Sequence, residues 1–102
     1  MALAHPPTAV FAISDVLAAG VVRQLFQMGL RAGRDVDVIG FDNTSLSKVT
    51  TPSISTVAQP RTLLGGKAAE LLLEKIADLH SPIRSVRVPH RLVLRETTRE
   101  KI

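Results

Sequence analysis

Apolar and polar positions change rhythm several times along this chain. Ala9-Val10-Phe11-Ala12-Ile13 is an unbroken apolar run behind Pro7, the pattern of a strand covered on both faces, and it predicts an interior parallel strand. Ser14 then offers an N-cap and Asp15 a first-turn carboxylate. The period that follows predicts a helix to about Met28, stopped by Gly29. Beyond an Arg31–Asp35 connection, Val36–Phe41 alternates and then runs apolar, predicting a second parallel strand reached by a right-handed crossover. Asp42–Ser53 is rich in Ser, Thr, Asn and Pro without an apolar period, so it reads as a loop. Ile54–Ala58 is a short strand candidate, and Gln59-Pro60 opens a second helix to about Leu79, since Pro is tolerated in a first turn. Leu64, Ala68, Leu71, Leu72, Ile76 and Leu79 form a stripe, with Lys67, Glu70, Glu74 and Asp78 off it, which predicts one face packed on a sheet. Gly65-Gly66 inside that helix costs about 1 kcal/mol per Gly relative to Ala, which points to close packing near its start. Finally, Val86–Val88 and Leu92–Leu94 alternate with Arg87, Arg91 and Arg95, as in a half-exposed strand near a sheet edge.

Strand, helix and strand in this order make an α/β chain of parallel βαβ units, whose ligands bind beyond the carboxyl ends of the strands. Asp15 and Gln59 occupy such margins. Asp15 reads either as a dipole-complementing carboxylate, worth roughly 0.3–1 kcal/mol, or as an acceptor for ligand hydroxyls. Gln59 can donate and accept at once, as a polyol requires, or bond its own backbone as a hinge residue. Asp42 reads as a turn former or a third site residue. The first helix carries a wide apolar arc that includes Val21 and Val22, leaving Arg23, Gln24 and Gln27 polar. Either neighbouring helices or another subunit covers the excess.

Composition narrows the classes. With 102 residues the chain is one domain at most, with a modest core. It is 45% hydrophobic with three Phe and no Trp or Tyr, so Leu, Val, Ile and Ala must build that core. Thirteen Lys and Arg against nine Asp and Glu leave a net charge of +4. The basic residues are scattered among carboxylates without interleaved aromatics, which reads as a solvated surface rather than a nucleic-acid groove. There is no Cys, and His5, His80 and His90 lie far apart, so neither a metal site nor any cofactor is expected. The opening Met1–Pro7 has no basic leader and no long apolar run follows it; neither a signal peptide nor a membrane span is expected, and the cytoplasm is the expected location. Nucleophile elbow, phosphate loop and metal cluster are all lacking, so no enzyme is expected.

Read in order, Pro7–Ala12, Asp15 with Ala18 and Gly20, Asp35–Asn43, Thr51–Pro60, Leu64-Gly65 with Ala68 and Ala69, and Pro89–Thr97 resemble the lactose-repressor and galactose-repressor family of bacterial transcription regulators. The resemblance runs from about Pro7 to Thr98. It implies the C-terminal part of a two-lobed, periplasmic-binding-protein-like core that closes on a sugar-like or nucleobase effector, with the whole of 1–102 belonging to that effector-binding and dimerisation domain. It also implies that operator DNA is bound only through an N-terminal helix-turn-helix that this chain lacks. By the same resemblance Asp15 is an effector contact, with Gln59 and Asp42 as further candidates. Arg23, Gln24, Val21 and Val22 fall on a helix that helps pair two subunits of a homodimer. Gly33 and Asn43 depart from the family's usual Pro and second Asp. A fragment of a periplasmic sugar-binding transport protein is the alternative. Because two parallel strands want cover that this chain is too short to supply, self-association is expected, as is weak effector binding by the chain alone.

Overall fold

In the computed structural model, which describes residues 3–99, the apolar run behind Pro7 becomes β1 (Ala9–Phe11) and the first amphipathic segment α1 (Asp15–Gln27). The chain continues through β2 (Asp37–Phe41), α2 (Ser45–Val49), β3 (Ser55–Ala58), α3 (Arg61–Ala77) and β4 (Arg91–Val93). The fold is α/β. Its four strands lie in the order β1-β2-β3-β4, parallel for the first three and antiparallel for the last. Val10 stands opposite Val38, Gly40 opposite Thr56, and Val57 opposite Leu92. The chain divides into two units, one reaching to Ala58 and resuming at Arg91, the other Gln59–His90.

In the first unit, α1 starts as its sequence dictates. Ser14 Oγ accepts from the Leu17 amide at 3.2 Å, and Gly29 takes a left-handed φ of +79° just past the last turn. Ala18 and Leu25 of α1 meet Val36, Val38, Ile54 and Ala12 in the buried core, with Val10, Val21, Val22 and Leu30 packed around them. The segment after β4 is stitched to the sheet. Val38 N donates to Thr97 O at 2.9 Å, and Thr97 N to Ser53 O at 3.1 Å. Buried Thr97 Oγ1 accepts from Ser55 N at 2.9 Å and donates to Val38 O at 2.7 Å. Arg99 closes the series on Asp37 at 3.1 Å. Gly33 has room for no side chain: its φ is +85°, and a Cβ there would collide with the Glu96 carbonyl.

Several elements differ from the sequence pattern. β1 is an edge strand, three residues long, with Ala9 and Phe11 exposed; its apolar run carried no information about how many neighbours the strand has. Within the expected loop lies α2, a single turn built from Thr44 and Ser47, whose Oγ donates to Thr44 O at 2.6 Å. Local polar bonds of this kind leave no apolar period to read. Val86–Val88 is not a strand, because alternation needs a ladder partner and only Arg91–Val93 finds one, on β3.

The second unit consists of α3 and the stretch after it. Its helix buries no residue, and Leu72, Ile76 and Leu79 are exposed. Gly65 and Gly66 face open space instead of a close neighbour.

Candidate effector site

Parallel pairing brings the carboxyl ends of β1, β2 and β3 to one edge of the sheet, at Phe11, Phe41 and Ala58. Past β2 the chain turns through two consecutive left-handed residues, Asp42 at φ +107° and Asn43 at φ +54°. Non-glycine residues in such regions cost of order 1–3 kcal/mol each and persist only where the surroundings over-determine them. Here they do. Asp42 N donates to Val57 O at 2.8 Å, Asn43 N to Thr56 Oγ1 at 3.2 Å, and Thr44 N to Asp15 Oδ2 at 2.6 Å. Thr44 Oγ1 donates to the same oxygen at 2.8 Å, while Thr56 Oγ1 donates to Asp15 Oδ1 at 2.7 Å. From the other side Arg95 Nη2 donates to Asn43 Oδ1 at 2.7 Å, and Arg95 Nη1 to Ser47 Oγ and Ile54 O, each at 3.0 Å.

This network separates the sequence candidates. Asp15 is 0% exposed and bonded to its own chain, so in this structure its carboxylate presents no surface to a ligand. The reason is steric as much as polar, since Gly40 lacks the Cβ that would lie 2.5 Å from Asp15 Oδ1. Asp42 is half-buried at the strand end. Beside it Phe11 and Phe41 stack edge to face, ring centroids 6.3 Å apart at 74°, with Phe11 exposed. A carboxylate next to a partly open aromatic pair can accept from hydroxyls while the rings cover an apolar face. Gln59 is half-buried and is the first residue of the second unit. Thr44, Thr56 and Arg95 were not legible beforehand; isolated polar residues in loops and strand ends have no spacing that marks them as one cluster.

On α1, Val21 and Val22 are half-buried against the core, whereas Arg23 and Gln24 are exposed. Val22 and Arg23 line an open groove of about 620 Å³ with Phe26, Leu30, Thr50 and Pro52. Near the groove, Glu96 accepts from Ser53 N and Oγ, both at 3.0 Å, which holds its carboxyl below the usual range. Hydrogen bonds from the Arg34 guanidinium and the Arg31 amide likewise lower Asp35. Among the described residues no three His, Cys, Asp or Glu side chains gather as metal ligands, and no helix is long and apolar enough to cross a membrane.

Residues 1–98 match the model of the periplasmic binding protein-like domain. The chain belongs to this family. Within it, the similarity is to the effector-binding core of lactose-repressor/galactose-repressor regulators. The HTH-type transcriptional repressor PurR of Vibrio vulnificus is 39% identical over 94 residues, covering 92% of the chain and 28% of that repressor. A lac repressor dimer solved with operator and the anti-inducer ONPF superimposes with a TM-score of 0.78 at 33% identity, over 92% of the chain and 32% of the repressor. A LacI family regulator of Enterococcus faecium with bound ribose gives 0.73 at 34% identity, over 94% and 36%. This family member thus spans less than a third of the curated relative it matches.

Proposed function

We propose that this chain is the effector-sensing segment of a bacterial transcriptional regulator, binding a small sugar-like or nucleobase ligand and acting on operator DNA only through a helix-turn-helix outside the chain. The observation that carries this reading is the tightly held Asp42 turn beside the Phe11–Phe41 pair at the carboxyl edge of a family-typical sheet. The ribose bound by the Enterococcus faecium relative supports a polyhydroxylated ligand. Asp42 accepts from ligand hydroxyls. The segment performs no chemistry of its own and works in the cytoplasm.

Pairing of two copies is part of the same reading. Arg23 and Gln24 present polar groups beside the groove in which Val22, Phe26 and Leu30 stay open, and the lac repressor relative was solved as a dimer. The deciding experiment is calorimetric titration of D-ribose into the longer natural protein, with Asp42→Ala alongside. Asp42→Ala should weaken binding at least tenfold, the size expected when a charge-assisted bond of about 1.5–3 kcal/mol is lost. Undiminished affinity in that variant would remove Asp42 from the site.

A further inference from the structure

The short helix α2 lacks the apolar anchor that fixes most surface helices. Its five residues are too few for a helix to stand by itself, and the residue it buries is Ser47. Hydrogen bonds must therefore place it. Ile54 N donates to Ser47 O at 2.8 Å, and Ser47 Oγ donates to Thr44 O at 2.6 Å. The guanidinium of Arg95, just past β4, completes the set. Its Nη1 donates to Ser47 Oγ and to Ile54 O, each at 3.0 Å, and its Nη2 to Asn43 Oδ1 at 2.7 Å. One planar fork thus joins the turn after β2, α2 and the start of β3, a span that the point-like ammonium of a lysine cannot match. Arg95 is itself fixed at its base, because its amide donates to Ser55 Oγ at 2.7 Å.

The segment held in this way has a task at either end. Before α2 comes the left-handed Asp42–Asn43 turn at the proposed effector edge. After it comes Thr50, in the wall of the groove proposed for pairing. We propose that Arg95 is a positioning residue that fastens α2 to the sheet and so fixes the effector edge and the groove wall relative to each other. The use of that fastening rests on the effector and pairing readings above; the fastening itself does not.

The test has two arms. In the first, amide hydrogen exchange is measured by NMR on this chain in the wild type, Arg95→Met and Arg95→Lys. Arg95→Met removes every side-chain donor, whereas Arg95→Lys keeps the stem and the charge and loses only the fork, so it decides the matter if Arg95→Met does not fold. Exchange at Ser47 and Thr50, whose amides donate to Thr44 O and Leu46 O, should rise about tenfold in Arg95→Met and by a smaller factor in Arg95→Lys. Leu25 and Ile39 should exchange as before. Unchanged exchange at Ser47 and Thr50 in Arg95→Lys would overturn the proposal, and so would an equal rise at Leu25 and Ile39, which is a general loss of stability. In the second arm, D-ribose is titrated calorimetrically into the longer natural protein. Arg95→Lys should weaken binding by about threefold or more with the thermal midpoint unchanged. A loosened α2 with undiminished affinity would reduce Arg95 to a structural residue and overturn the positioning role. A wild type that binds no ribose would refute the effector reading instead and leave the exchange result standing.

Discussion

At Gly40 the absence of a single carbon decides whether a helix can lie over a strand. The hydrogen in place of a Cβ lets the backbone and carboxylate of Asp15 pass close to β2, and the Asp15 Cα, being backbone, cannot swing aside. Gly40→Ala should destabilise the chain by about 1–3 kcal/mol through overpacking, seen as a lower urea midpoint with unchanged slope. Glu96 shows the opposite kind of residue, exposed yet pulled down by the Ser53 amide and hydroxyl. A carboxyl lowered on folding contributes stability that is present above its unfolded value near 4.5 and is lost as pH falls through the lower folded value. Thermal melts of wild type and Glu96→Gln should therefore differ most at neutral pH and converge in acid; a gap that widens in acid would contradict the pairing.

Among the elements, the sheet is closed by a segment that belongs to none of its strands. Thr97 fills both roles of its hydroxyl between β2 and β3, accepting from Ser55 N and donating to Val38 O inside the core. Thr97→Val keeps the shape and orphans a donor and an acceptor, so about 1–3 kcal/mol should be lost for each group left unmatched, measured by denaturant unfolding. The helix α3 presents the reverse case. Its apolar stripe was legible as a stripe, because periodicity reports which residues share a face and not what lies opposite. Since Leu72 and Leu73 are exposed, Leu72→Lys should change stability by no more than about 0.5 kcal/mol while reducing self-association.

For the molecule as a whole, exposed apolar surface is the dominant physical fact. Phe11, Ile13, Val16 and Phe26 on the first unit and Leu72, Ile76 and Ile83 on the second are all open to solvent, more than a solitary small domain carries comfortably. Light scattering should find a dimer or larger assembly, and a clean monomer across micromolar concentrations would contradict that expectation. Calorimetry on the chain alone should find D-ribose bound weakly or not at all, because a chain spanning 28% of its repressor relative supplies only part of a ligand's surroundings. Tight binding would show that the Asp42 edge suffices.

By itself the sequence determined the α/β class, the parallel β1-α1-β2 unit, the caps at Ser14 and Gly29, and the family, because these follow from local period, turn chemistry and an ordered run of motifs. It also marked Asp15 and Asp42 as residues of interest. Tertiary structure alone decided where each lies: Asp15 turned inward beneath Gly40, and Asp42 half-buried at the end of β2. It alone joined Thr44 and Thr56 to Asp15 and Arg95 to Asn43, the last across 52 positions of chain, and it alone placed β1 at an edge. The physical reason is the same throughout. A side chain's burial and partners depend on which distant strands and loops come to lie beside it, and no spacing along the chain records that.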